Sequence, residues 1–181
     1  MKIYILLAEG FETIEALAPI DVFRRAGMNI ESISITDNLM VASSQGIEVK
    51  ADRILKEVDI DDGDALILPG GYPGYKNLAD TLEVGEAVRK YMETGRIVGA
   101  ICGAPTILKR YGIAQGYRLT SHHSTKDEMT GYVYTGKNVE QDRNLITAIG
   151  AGHSVEFGLA LLYALQGGDK VAAVKSGMEI E

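Results

Sequence analysis

Runs of apolar residues alternate along this chain with stretches whose apolar positions recur every three or four residues. The runs at residues 2–8, 30–36, 65–69, 96–101, 117–120 and 145–149 predict strands. Most are continuous rather than alternating, as expected for strands covered on both faces. The stretches at 12–26, 83–93, 104–111 and 154–165 predict helices. Gly27, Gly95, Gly112 and Gly167 fall near their ends, where a left-handed cap suits glycine. Between residues 38 and 49, Ser43-Ser44-Gln45-Gly46 separates two short apolar runs and predicts a hairpin off the main sheet. Residues 133–139 read as a second hairpin. The alternation predicts an α/β fold, a three-layer sandwich around a mostly parallel sheet.

With 181 residues and no repeat, linker or low-complexity segment, the chain reads as one domain, 1–181. Its net charge of −7, with no Lys/Arg cluster, argues against nucleic acid as a partner. No apolar stretch is long enough to span a membrane. The first apolar run stops at Glu9-Gly10, too early for a signal peptide. A single cysteine excludes an internal disulfide framework and fits a reducing, cytoplasmic setting.

That cysteine, Cys102, follows the apolar run Ile97-Val98-Gly99-Ala100-Ile101 and precedes Gly103-Ala104-Pro105. A buried strand, a sharp small-residue turn and a helical pattern are the grammar of a nucleophile elbow. Free cysteine is more often an inert core residue, but its place after the strand favours reactivity. In a parallel sheet, ligands bind beyond the C-terminal strand ends. Three further loops fall there: Glu9-Gly10-Phe11-Glu12, Gly70-Gly71-Tyr72-Pro73-Gly74, and the segment holding His122 and His123.

Glu15 lies on a stripe with Phe11, Ala18 and Val22 that is otherwise apolar. A lone glutamate usually sits solvated at the stripe's edge, yet this helix starts directly after the first strand, at the reactive end of the sheet. Gly70-Gly71 fits a plain turn, or a backbone that offers the Gly71 N–H, with that of Gly103, to a developing oxyanion. His122 is a candidate base or proton shuttle, whereas His123 fits the surface. His153 opens the last helix as a cap or as a site-facing residue. Cys and His fall on separate loops without a chelating pair, so no metal site is expected.

Glu9-Gly10-Phe11-Glu12-Thr13-Ile14-Glu15, Leu68-Pro69-Gly70-Gly71, Ala100-Ile101-Cys102-Gly103-Ala104-Pro105 and Thr120-Ser121-His122 together resemble the ThiJ/PfpI superfamily in its DJ-one branch. Their order fits essentially the whole chain. The resemblance implies a flavodoxin-like sandwich related to class I glutamine amidotransferases, and a homodimer. It implies that Cys102 is the reactive cysteine and that Glu15 is its protonated partner. It also places His122 nearby and Gly71 and Gly103 as backbone donors. Glutathione-independent glyoxalase or deglycase activity on small carbonyls is implied, with no cofactor; redox sensing with chaperone behaviour, or hydrolysis of small amides or isonitriles, is the alternative. Gln45 stands where some members carry an arginine, and His153 lies in a loop that differs from close relatives.

Two physical expectations accompany this reading. A protonated Glu15, donating to the sulfur, would lower the Cys102 pKa. A second apolar stripe on the first helix, Ala16, Pro19, Ile20 and Phe23, would form the dimer surface.

Overall fold

The computed structural model describes residues 1–181. Eleven strands form: β1 (Lys2–Leu7), β2 (Asn29–Ser34), β3 (Met40–Ala42), β4 (Glu48–Lys50), β5 (Arg53–Ile54), β6 (Ala65–Leu68), β7 (Ile97–Ile101), β8 (Arg118–Leu119), β9 (Val133–Tyr134), β10 (Val139–Asp142) and β11 (Leu145–Ala148). Six helices accompany them: α1 (Thr13–Arg25), α2 (Gly74–Asp80), α3 (Leu82–Glu93), α4 (Thr106–Tyr111), α5 (Ser154–Gln166) and α6 (Gly168–Gly177).

Seven strands make one sheet in the order β10-β11-β7-β6-β1-β2-β5. Every pairing in it is parallel except β10 with β11. Alternation along the strands divides the core in two. Tyr4, Leu6, Leu66, Leu68, Val98 and Ala100 pack with α2, α3 and α4 on one face. Ile3, Ile5, Leu7, Ala65, Ile67 and Ile101 pack with α1, α5 and α6 on the other. Both faces are covered, which is why the strands read as continuous apolar runs. The fold is a flavodoxin-like three-layer α/β sandwich, as expected.

The chain departs from the sequence pattern in four places. The 117–120 run does not join the main sheet; β8 pairs parallel with β9 in a ladder of its own. The β11 edge is already taken by β10, so Arg118 N–H donates instead to Asp142 Oδ2 and Thr120 N–H to Thr147 Oγ1, 2.8 and 2.9 Å away. Residues 133–139 are accordingly not a hairpin: β9 belongs with β8, and the true hairpin joins β10 to β11. The two short helices α2 and α6 were not anticipated, and α6 buries only Val174, too few positions to show a period. The hairpin off the sheet is present as β3 and β4.

The fourth departure concerns α1. Ala16, Pro19, Ile20 and Phe23 are all buried within the chain itself. Helix α5 covers α1, and Gly158 lets it approach closely: a Cβ there would lie 3.2 Å from Pro19 Cα. The second apolar stripe is therefore an intramolecular contact and not a free surface.

Candidate active site

Strand β7 ends at Ile101, and the chain turns at Cys102 in the left-handed conformation, φ 62°. That geometry is uncommon for a residue with a side chain. Two hydrogen bonds hold it: Cys102 N–H donates to Ala148 O at 2.9 Å, and His122 N–H donates to Cys102 O at 2.8 Å. The elbow thus ties the ends of β7 and β11 to the His122 loop. Cys102 is half-buried and unpaired.

Glu15 comes from the first turn of α1 and is completely buried. Its Oε2 accepts from Gly70 N–H at 2.8 Å, while Oε1 has no hydrogen-bond partner. Gly70 is squeezed between the Glu15 and Cys102 side chains. A Cβ there would lie 2.6 Å from Glu15 Oε2 and 2.7 Å from Cys102 Cβ. Gly70 therefore anchors the carboxyl from behind and does not line the open site. The Gly70 and Glu12 backbones are joined as well, with Glu12 N–H donating to Gly70 O at 2.9 Å.

Burial raises the Glu15 pKa to about 7, outweighing the Gly70 amide and the Cys102 thiol, both of which favour the charged form. Burial also raises Cys102, and the Glu15 charge adds to it, bringing the thiol to about 12. The Gly71 and Gly103 amides face the sulfur and pull the other way, but less strongly. The expected low thiol pKa is thus not what the structure gives: burial is the larger cause of the rise and the Glu15 charge the second. Two acids in contact share one charge and titrate as a pair. The first proton leaves only above the ordinary carboxyl range, and the second leaves with greater difficulty. A thiolate is accessible only while the proton stays on Glu15.

A cavity of about 340 Å³ opens over the sulfur, lined by Gly71, Tyr72, Tyr75, Cys102, Gly103, His122, Ser124 and Thr125. His122 is the titratable ring in it. Its Nδ1 accepts from Ser124 N–H at 3.3 Å and lies 2.8 Å from Ser124 Oγ. A backbone amide can only donate, so the ring hydrogen belongs on Nε2. Burial first, and then the neighbouring His123, lower its pKa, which leaves it neutral at neutral pH. His123 is exposed and stacks on it, ring centroids 4.1 Å apart. His153 does not line this cavity; its Nδ1 pairs with Glu156 Oε2, one turn further along, at 3.0 Å. Gln45 braces the start of α1, its Oε1 accepting from Thr13 Oγ1 at 2.9 Å.

Tyr75, Ser124 and Thr125 are lining residues that sequence reasoning missed, and Tyr72 was noted only as part of its loop. The available signal was their position shortly after strand ends. No cluster of three or more His, Cys, Asp or Glu side chains is placed to share a metal ion. No helix is long and apolar enough to cross a membrane.

A parallel sandwich with a strained cysteine elbow and a buried carboxyl beside it defines a class of protein. A family model described as DJ-1/PfpI matches residues 1–164. Protein dj-1beta of Drosophila melanogaster is 35% identical over 176 residues, covering 96% of this chain and 94% of that protein. Glutathione-independent glyoxalase DJR-1.2 of Caenorhabditis elegans is 34% identical over 168 residues, covering 92% and 89%. The crystal structure of Drosophila DJ-1beta superposes with a TM-score of 0.96 at 34% identity, covering 99% of this chain and 98% of that one. The chain belongs to the DJ-1/PfpI family, in its DJ-1-like branch.

Proposed function

We propose that this protein is an enzyme of small reactive carbonyls that converts a 2-oxoaldehyde to a 2-hydroxy acid without glutathione or a cofactor. The observation that carries this reading is the buried Glu15 carboxyl, one oxygen of it unpartnered, coupled to the Cys102 thiol that the Gly71 and Gly103 amides also face. The nematode relative's name supports the reaction class.

The thiol proton passes to Glu15 as sulfur bonds to the aldehyde carbon. The carbonyl oxygen becomes an alkoxide, held by the Gly71 and Gly103 amides. Glu15 protonates it, which gives a hemithioacetal and frees the carboxylate. Glu15 then takes the hydrogen from the first carbon and returns it to the second through an enediol. His122 Nε2–H gives its proton to the second carbon's oxygen and regains one from the first carbon's hydroxyl, which becomes the thioester carbonyl. The product is a thioester of the 2-hydroxy acid. Water cleaves its C–S bond, releases the acid and restores the thiol. Overall, one oxoaldehyde and one water give one hydroxy acid.

Methylglyoxal incubated with purified protein tests this, with lactate as the readout. Lactate formed by the wild type and lost in Cys102→Ala is the expected result. No lactate, or equal amounts from both proteins, would overturn the proposal.

A homodimer is part of the same proposal. With the inner stripe covered, the support shifts to Ile14 and Ile47, each 50% exposed. They stand on elements joined by the Thr13–Gln45 bond. Light scattering should show a dimer that Ile14→Asp weakens; a wild-type monomer would refute it.

A further inference from the structure

Two tyrosines stand over the nucleophile, and the carbonyl chemistry proposed above makes no use of them. Tyr75 lies in the first turn of α2 and is half-buried. Its ring rests directly on the elbow: a Cβ built on Gly103 would come within 2.6 Å of the ring carbons. Tyr72 precedes it in the loop and is 72% exposed. The two rings are tilted by 59° with centroids 6.4 Å apart, and both line the cavity over Cys102. The rest of the lining includes the polar side chains of His122, Ser124 and Thr125.

The wall is held in place by backbone bonds. Gly74 N–H donates to Gly10 O at 3.2 Å, and Tyr75 N–H to Gly71 O at 2.9 Å. Asn77 Nδ2 donates to Glu9 O at 2.8 Å. The loop is therefore fastened to the segment after β1 at several points, and the Tyr75 ring is set before a ligand arrives. Tyr72 is exposed and makes no hydrogen bond of its own, so its ring face is open to a ligand. A flat apolar group entering the cavity would cover that face and stack at the offset or tilted geometry that aromatic pairs prefer.

From this arrangement we infer that Tyr72 and Tyr75 form an aromatic wall that selects electrophiles carrying a flat aromatic group. Resting on the carbonyl reading above, this makes aryl-substituted 2-oxoaldehydes better substrates than methylglyoxal. The polar side chains of the cavity receive the two oxygens, and the wall receives the ring.

Alkylation separates this inference from the reaction chemistry. N-benzyl iodoacetamide and iodoacetamide are compared as labels of Cys102, each rate divided by its rate with free cysteine. Both reagents consume the same thiolate, so their ratio is blind to changes in thiol pKa. The wild type should prefer the benzyl reagent by about threefold to tenfold, the scale of an aromatic contact. Tyr72→Ala should bring the ratio close to one. Tyr75→Leu, which keeps an apolar side chain against Gly103, should lower it as well. A wild-type ratio near one, or a ratio unchanged in both variants, would overturn the wall. Turnover of phenylglyoxal and methylglyoxal is then measured in the same proteins. A benzyl preference without turnover of either upholds the wall and sinks the carbonyl reading. Turnover with no aryl preference sinks the wall and leaves that reading standing.

Discussion

Two carboxyls are buried in this protein, and the chain treats them in opposite ways. Glu140 in β10 is 4% exposed and has two cations beside it, Arg118 at 3.3 Å and Lys137 at 2.9 Å. Burial pushes its pKa up, but the bonds from Lys137 and Thr135 and the charges of Lys137 and Arg118 outweigh that, and the net shift is down. Glu15 is fully buried with a single amide on one oxygen and no cation at all. Its pKa rises to about 7. One glutamate is neutralised by partners, and the other is poised to hold or release a proton. Burial alone does not set the direction of a carboxyl's shift; burial without a counter-ion raises it.

The sharpest test of this contrast is Glu15→Gln. Turnover should fall by roughly 10²-fold or more, because an amide cannot carry the proton. Stability should move the other way. The folded-state pKa of Glu15 is raised, so its burial is free below the ordinary carboxyl value and increasingly costly as pH climbs through about 7. Above that pH the Gln variant should be the more stable by about 3 kcal/mol. Denaturant midpoints across this window would show it, and a pH-independent difference would break the comparison from the Glu15 side.

Gly70→Ala is expected to be next in size. The added methyl meets Glu15 Oε2 and Cys102 Cβ at distances no side chain tolerates. A loss of about 1–3 kcal/mol should accompany slower thiol labelling. Thermal melts combined with labelling rates check both, and wild-type values for each would mean the two groups are not wedged around Gly70.

Glu140→Gln should cost about 1–2 kcal/mol at neutral pH, the scale of a charged hydrogen bond whose partners are half exposed. Its pH signature should be the reverse of Glu15. A depressed folded-state pKa stabilises above the ordinary carboxyl value and loses that advantage as pH falls. The gap between wild type and variant should therefore close in acid. Turnover at neutral pH should be unaffected in protein that remains folded.

The smallest effect belongs to His123→Ala. Losing the neighbouring ring should raise the His122 pKa, since His123 contributes to lowering it. Proton NMR titration would follow the shift, with turnover within about twofold of wild type because the ring is exposed.

Much of this was readable in the residues, for identifiable reasons. The parallel sheet showed through β1, β6 and β7 because strands covered on both faces carry apolar residues at every position. Cys102 and Glu15 were marked by misfit: a lone thiol after a strand, and a charge in an apolar stripe. Phe11 belongs to that stripe by spacing only; it lies before the helix, bridged to Ser43. What stayed hidden was long-range. That α5 covers the inner stripe of α1 depends on contacts more than a hundred residues apart. The direction of the thiol pKa needed the balance of burial against two amides and one carboxyl, which no local pattern encodes. Tyr72 and Tyr75 look like ordinary loop residues until the Gly103 backbone is placed beneath one of them.

The elbow itself carries a further consequence. Cys102 sits at φ 62°, a conformation costing a residue with a Cβ roughly 1–2 kcal/mol. Alanine in its place would keep that strain and lose the sulfur. Glycine would lose the sulfur and release the strain. Cysteine-to-glycine should therefore melt at a higher temperature than cysteine-to-alanine, although neither keeps the thiol. Under the proposed function, durability and reactivity compete at this one position, and a lineage released from selection for chemistry would be expected to drift toward glycine there.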